Sequence, residues 1–247
     1  MDDRIPRDER ELGAAMAGGD EVKLLGNWAS PYVARVRLAL HLKGVPYEYV
    51  EEDLADKSEL LLRSNPVHKA VPVLIHGGKP VCESRVIVQY IDEAFASAGA
   101  GPPLLHASPR ERAAARFWAV FVDDELLAPW GMVMRSGTDE ERAEWTRRTV
   151  AAVETLEGAL GERSEEDGEG FFGGDRVGYV DILLGGMVPW VRVTERLSGH
   201  NFFDASTAPL LAAWMERFGE LDAARAVFQD VDRLVEYAGT IQARAHG

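Results

Sequence analysis

The sequence predicts a chain in two parts, an α/β unit followed by an all-helical one, and three observations carry that expectation. Between residues 22 and 96, short β-favouring segments alternate with segments whose apolar positions recur at helical spacing. Beyond residue 108 the apolar spacing is helical throughout. Between the two runs SAGAGPPLLHASP, small and rich in Gly and Pro, which reads as a linker over 98–107. Residue usage shifts at the same place: all five lysines lie between Lys23 and Lys79, and beyond Arg85 the basic residues are arginines. The chain of 247 residues is long enough for two units that each bury a core.

In order, VKLLGNW reads as a strand, and SPYVARVRLALHLKG as a helix with Val33, Val36, Ala39 and Leu40 on one face. YEYVEEDL follows as a strand, and SELLLRS as a short helix stopped at Asn65-Pro66. VPVLIHGGKPVCE is a hairpin turned at Gly77-Gly78, and SRVIVQYIDEAF a helix that Ser84 would cap. The order βαβαββα is that of a thioredoxin-like domain, expected over 22–97. In the second unit, 108–247, Ser108 to Glu111 and Thr138 to Glu141 read as capping boxes that open two long helices. Pro129 is expected to interrupt the first. GYVDILLGGMVPW starts a further helix with Gly178 as cap and Asp181 in a structural, capping role. ERSEEDGEG at 162–170 reads as an exposed acidic loop.

Composition excludes several classes. A single cysteine, Cys82, permits no internal disulfide and suits a reducing compartment such as the cytosol. The six histidines show no ligand spacing, so no metal is expected. With 41 acidic against 27 basic residues the net charge is −14, and no Lys/Arg cluster offers a face for nucleic acid. No apolar run approaches the roughly 20 residues that span a bilayer, and the charged first residues hold no signal core, so no membrane partner is expected. Residues 1–21 read as a disordered extension, with translation expected to begin at Met16.

Three places carry possible chemistry. Ser30 before Pro31 suits a helix start, where free amides and the positive end of the helix dipole favour an anion. The same pattern fits a plain cap. Val71-Pro72 enters the hairpin; a cis bond there would expose the backbone of Val71, and a trans proline at a strand start fits the sequence as well. Glu83-Ser84 opens another helix, with Glu83 available to an ammonium and the Ser84 amides to a carboxylate. Together they suit a charged tripeptide.

LLGNWASPYVARVRLALHLKG, EEDL with KS after it, NPVHK, VPVL and ESRVIVQYIDE closely resemble the glutathione-binding domain of plant tau-class glutathione transferases, over about residues 22–95. GYVDI at 178–182 extends the resemblance, more weakly, into the helical remainder. The resemblance implies the cytosolic glutathione transferase fold, a homodimer, and glutathione as co-substrate without any cofactor. By position it implies Ser30 at the thiol, Lys57 at the glycyl carboxylate, Val71 at the cysteinyl backbone, and Glu83 with Ser84 at the γ-glutamyl end. One position departs: Ala70 stands where the family usually has a second lysine, leaving Lys69 alone, which predicts weaker glutathione affinity.

A transferase also needs an apolar pocket for its electrophile, and Trp28, Tyr32, Trp130, Met134 and Trp190 are the candidates, each of the helical ones equally compatible with core packing. A thiol of pKa about 8.5 is mostly protonated at neutral pH, while the thiolate is the nucleophile. A hydrogen bond from Ser30 to the charged sulfur contributes about 1.5–3 kcal/mol, roughly one to two pKa units. Ser30 is thus expected to act as a donor rather than as base or nucleophile. The alternative from another class is a carrier of apolar ligands on the same fold. A thiol transferase would need a redox cysteine where Ser30 stands, and Cys82 reads instead as a small buried residue.

Overall fold

The computed structural model describes residues 21–96, 101–167 and 170–245. The expectations for residues 1–20, a disordered extension and a start at Met16, lie outside the described residues. The first part comprises β1 (Val22–Gly26), α1 (Pro31–Leu42), β2 (Glu48–Glu51), α2 (Glu59–Ser64), β3 (Val73–His76), β4 (Lys79–Cys82) and α3 (Ser84–Ala94). Its four strands form one sheet in the order β2-β1-β3-β4. β1 runs parallel to β2 and antiparallel to β3, which is antiparallel to β4. This is the thioredoxin-like arrangement that the order of elements predicts.

Alternation along the strands sends side chains to opposite faces. Leu24 and Leu74 join Val33, Val36 and Leu40 of α1 and Ile87 and Ile91 of α3 in the main core. Leu25, Val73 and Ile75 face the other way and pack on Leu61 of α2. The β3–β4 turn places Gly77 and Gly78 at φ 54° and 76°, the left-handed pair that a two-residue hairpin requires. Gly26 closes β1 because a Cβ there would lie 2.7 Å from Val33 Cγ1 and 2.9 Å from the Tyr49 ring.

The helical part comprises α4 (Pro109–Phe121), a π-helical stretch (Val122–Leu127), α5 (Ala128–Val133), α6 (Asp139–Asp167), α7 (Tyr179–Gly185), α8 (Val188–Ser198), α9 (Pro209–Gly219), α10 (Asp222–Val227) and α11 (Val231–Ala245). Three expectations are corrected here. Pro129 does not interrupt the first long helix, because the wider π-helical turns come just before it and the proline falls within the first turn of α5. The acidic segment from 162 continues α6 as far as Asp167, since it is rich in helix-forming Glu and holds no breaker before Gly168. Ser108 precedes α4 but makes no side-chain cap, and Glu111 turns instead to His106 Nδ1, 3.2 Å away.

The two parts share one core. Lys43, at the end of α1, and Asp92 of α3 form a buried ion pair at 2.7 Å. Asp92 also accepts from the backbone N–H of Leu104 (2.8 Å) and Leu105 (3.0 Å), which fixes the connecting segment. Asp181, fully buried, accepts from the N–H groups of Phe172, Gly173 and Gly178 and from Trp214 Nε1, all at 2.8–2.9 Å. Burial drives its pKa up to about 6 while these four donors pull against that rise. Every contact it makes is to a donor, so the carboxylate ties the 170–178 loop to α7 and α9. Among the described residues, no helix is long and apolar enough to cross a membrane.

Candidate active site

β4 runs parallel to β1 and β2, so the segments leaving β1, β2 and β4 and the one entering β3 all meet at one end of the sheet. Ser30 follows β1, Lys57 follows β2, Val71 precedes β3, and Glu83 and Ser84 follow β4. Residues spread over more than 50 positions of sequence are gathered there by topology alone.

Ser30 sits at the N-cap of α1 with extended backbone (φ −74°, ψ 122°), and Pro31 takes the first helical position. Its Oγ accepts from Val33 N–H at 3.3 Å. A hydroxyl has one proton and two acceptor lone pairs. The cap uses a lone pair and leaves the proton free to donate. The loop before it is held from both sides: Asn27 Oδ1 accepts from Ala29 N–H at 3.2 Å, and Trp190 Nε1 donates to Ala29 O at 2.9 Å.

The second helix start differs from expectation. Glu83, not Ser84, occupies the cap position of α3, at φ 74° and ψ 114°, and its side chain makes no cap bond. Non-glycine residues at such angles cost about 1–3 kcal/mol and concentrate at functional sites. Ser84 is buried, and its Oγ accepts from Arg35 Nη1 at 3.2 Å. Arg35 is itself fully buried in α1 and donates to Leu183 O (2.8 Å) and Asp123 Oδ1 (2.6 Å). Asp123, in the π-helical stretch, takes Arg85 Nε on its other oxygen at 3.0 Å. An ionic network therefore links both helix starts and joins them to the helical part. The sequence-based reading missed it. The signal was present in Arg35, a charge set among Val33, Ala34 and Val36 on the buried face of a helix.

Val71 is half-buried, and the Val71-Pro72 bond is cis. Lys57 is exposed and, among the described residues, unpaired. Beside it, Ser58 caps α2 and donates to Glu52 Oε1 at 2.7 Å, which fixes the loop that carries Lys57. Ala70 is exposed, its carbonyl accepting from Asn65 Nδ2 at 2.9 Å. The Cys82 thiol is half-buried; desolvation, aided by the Glu83 charge, raises its pKa and disfavours the thiolate.

Ser30 opens onto a cavity of about 320 Å³ walled by both parts of the chain. Of the five side chains expected there, Tyr32, Trp130, Met134 and Trp190 line it. Trp130 also belongs to the core, with Nε1 donating to Thr194 Oγ1 at 2.9 Å and its ring 5.2 Å from Phe202. Trp28 is not among the lining residues. It turns to α11, edge-on to Tyr237 at 5.4 Å and beneath the Arg233 guanidinium at 3.9 Å. Leu54, Leu127, Met187, Tyr237 and Ala238 also line it and were not singled out as pocket residues from the sequence, because they approach from the loop after β2, the π-helical stretch, the start of α8 and α11. Arg135 is the one charged residue among the described residues that line the cavity.

Known proteins resemble the chain along most of its length. The glutathione S-transferase N-terminal domain family matches residues 20–93, and the glutathione S-transferase C-terminal domain family matches residues 139–217. A probable glutathione S-transferase, GSTU6, of Oryza sativa subsp. japonica is 54% identical over 92% of this chain and 96% of its own length. Glutathione S-transferase U18 of Arabidopsis thaliana is 45% identical over 89% of this chain and 95% of its own. The crystal structure of a tau-class glutathione S-transferase from mango superposes with a TM-score of 0.83 at 42% identity, covering 90% of this chain and 98% of that one. Rice GST1, solved in complex with glutathione, gives 0.80 at 38%, covering 92% and 99%.

Proposed function

The chain belongs to the glutathione S-transferase family, in its tau class, and from that premise we propose that it joins the sulfur of glutathione to small apolar electrophiles. The observation that carries this is the position of Ser30: a hydroxyl with an uncommitted proton, at a helix N-terminus, at the mouth of an apolar cavity.

Glutathione lies along the strand ends with its thiol at Ser30. The Ser30 hydroxyl donates to the sulfur and lowers the thiol pKa by roughly one to two units, and the N-terminus of α1 adds about 0.3–1 kcal/mol. Most of the bound thiol is then ionised at neutral pH, and its proton has passed to solvent. The thiolate attacks the electrophilic carbon held in the cavity, a C–S bond forms, and the leaving group departs with the electron pair of the bond it breaks. Lys57 pairs with the glycyl carboxylate, the Val71 backbone with the cysteinyl amide, and Glu83 with the γ-glutamyl ammonium, whose carboxylate meets the start of α3 at Ser84. Tyr32, Trp130, Met134 and Trp190 bound the electrophile. No cofactor enters the scheme.

On the same reading, residues 22–97 form the glutathione-binding unit and 108–247 the helical one, joined by 98–107, and the protein works in the cytosol as a homodimer. Support for a dimer comes from Val86 on α3 and Phe117 and Val120 on α4, large apolar side chains left exposed on helices that Arg116 Nε and Gln89 Oε1 join at 2.8 Å.

The test is conjugation of glutathione to 1-chloro-2,4-dinitrobenzene by the full chain, beside a folded Ser30→Ala. A sharp fall in the variant is expected. A folded wild type that binds apolar dyes yet turns over nothing would instead make the protein a carrier.

A further inference from the structure

Among the described residues, the cavity wall holds one charged group, and the conjugation scheme leaves it unused. We propose that Arg135 selects electrophiles that carry an anionic group, a carboxylate above all, at the end remote from the reacting carbon. This inference rests on the transferase reading given above and names the substrate class of that site.

Every other described residue lining the cavity is uncharged. Arg135 lies just past the C-terminus of α5, where its side chain is exposed and forms no ion pair among the described residues. Its one hydrogen bond there is a 3.5 Å contact to the Gly131 carbonyl, at the limit of such a bond. Acids are not scarce in a chain with 41 of them. Of the acids close to it in sequence, Asp139 pairs with Arg142 and Glu141 accepts from Gly137 N–H at 3.1 Å. The guanidinium therefore keeps its forked set of donors for an oxygen pair brought by a ligand. The need for it follows from the net charge of −14, which opposes the approach of any anion unless a local cation offsets it. An apolar body between Trp130 and Met134 with a carboxylate at Arg135 satisfies both halves of the wall.

A matched pair of substrates tests this, 4-chloro-3-nitrobenzoate and its methyl ester. With either, glutathione thiolate displaces chloride, the C–S bond forming as the C–Cl bond breaks. Wild type, R135Q and R135K are compared as full chains with both. R135Q is expected to lower kcat/KM for the acid roughly ten-fold more than for the ester, chiefly through KM, with R135K keeping part of the preference. Added salt should erode the acid's advantage in wild type and not in R135Q. A guanidinium that serves only the C-terminal dipole of α5 would leave the acid-to-ester ratio the same in all three proteins, and that result overturns the inference while turnover stands. A wild type inactive toward both substrates and toward 1-chloro-2,4-dinitrobenzene overturns the transferase reading and the inference with it.

Discussion

Two helix starts face the same end of the sheet, at Ser30 and at Glu83, and they are made in opposite ways. At α1 the cap is local: an extended serine, a hydroxyl that takes the N–H three residues on, and a proline that has no N–H to lose. At α3 the cap position is a glutamate at φ 74° without a cap bond, and the serine beside it is held by Arg35 from α1. The first arrangement follows from its own residues. The second persists against strain because a buried ionic network over-determines it. A helix start set from within and one set by a tether should therefore respond differently to mutation.

The largest expected effect is at the tether. Arg35→Met removes one partner from the buried pair with Asp123 and should lower stability by about 3–5 kcal/mol, read from urea unfolding. A loss below ~1 kcal/mol would mean that the network does not hold α3. Ser30→Ala should lower kcat by roughly 10–100-fold and move the midpoint of its pH profile up by about one to two units. Stability should fall by only about 1 kcal/mol, as for other cap residues. If KM for glutathione rises while kcat and the pH profile stay put, Ser30 binds the tripeptide without activating its sulfur.

Glu83→Gly sharpens the contrast further. Glycine accepts the positive φ, so stability should rise by about 1 kcal/mol while KM for glutathione climbs several-fold with loss of the carboxylate. A variant no more stable than wild type would remove strain from the comparison. The smallest effect is expected of Ala70→Lys, which restores the usual basic residue at an exposed position and should lower the glutathione KM by about two- to three-fold. An unchanged KM would show that the departure at Ala70 has no bearing on affinity.

How far the sequence could be read depended on the range of the forces involved. The hairpin was legible at Gly77-Gly78 because its turn is a property of two adjacent residues, and so was Ser30 at the start of α1. The same local rule fails at Ser84, whose hydroxyl accepts from Arg35, 49 residues away, and does not cap α3. Trp28 was expected in the pocket for its chemistry, yet Arg233 and Tyr237 of α11 draw its ring aside. Tyr237 and Ala238 themselves carry no signal of a pocket. They line it only because Leu234 and Ala238 of α11 pack on Ala29 in the loop before Ser30, and Gln229, just ahead of α11, donates Nε2 to Trp28 O at 3.0 Å.

The sequence by itself determined the order of strands and helices, the family, and the serine at the start of α1, since these rest on short-range backbone preference and on a pattern of adjacent residues. Tertiary structure decided which carboxylate answers Arg35, which aromatic side chains face the cavity rather than the core, and that, among the described residues, one unpaired guanidinium stands in an otherwise uncharged wall. Those outcomes depend on burial, and burial is a property of residues brought together from distant parts of the chain.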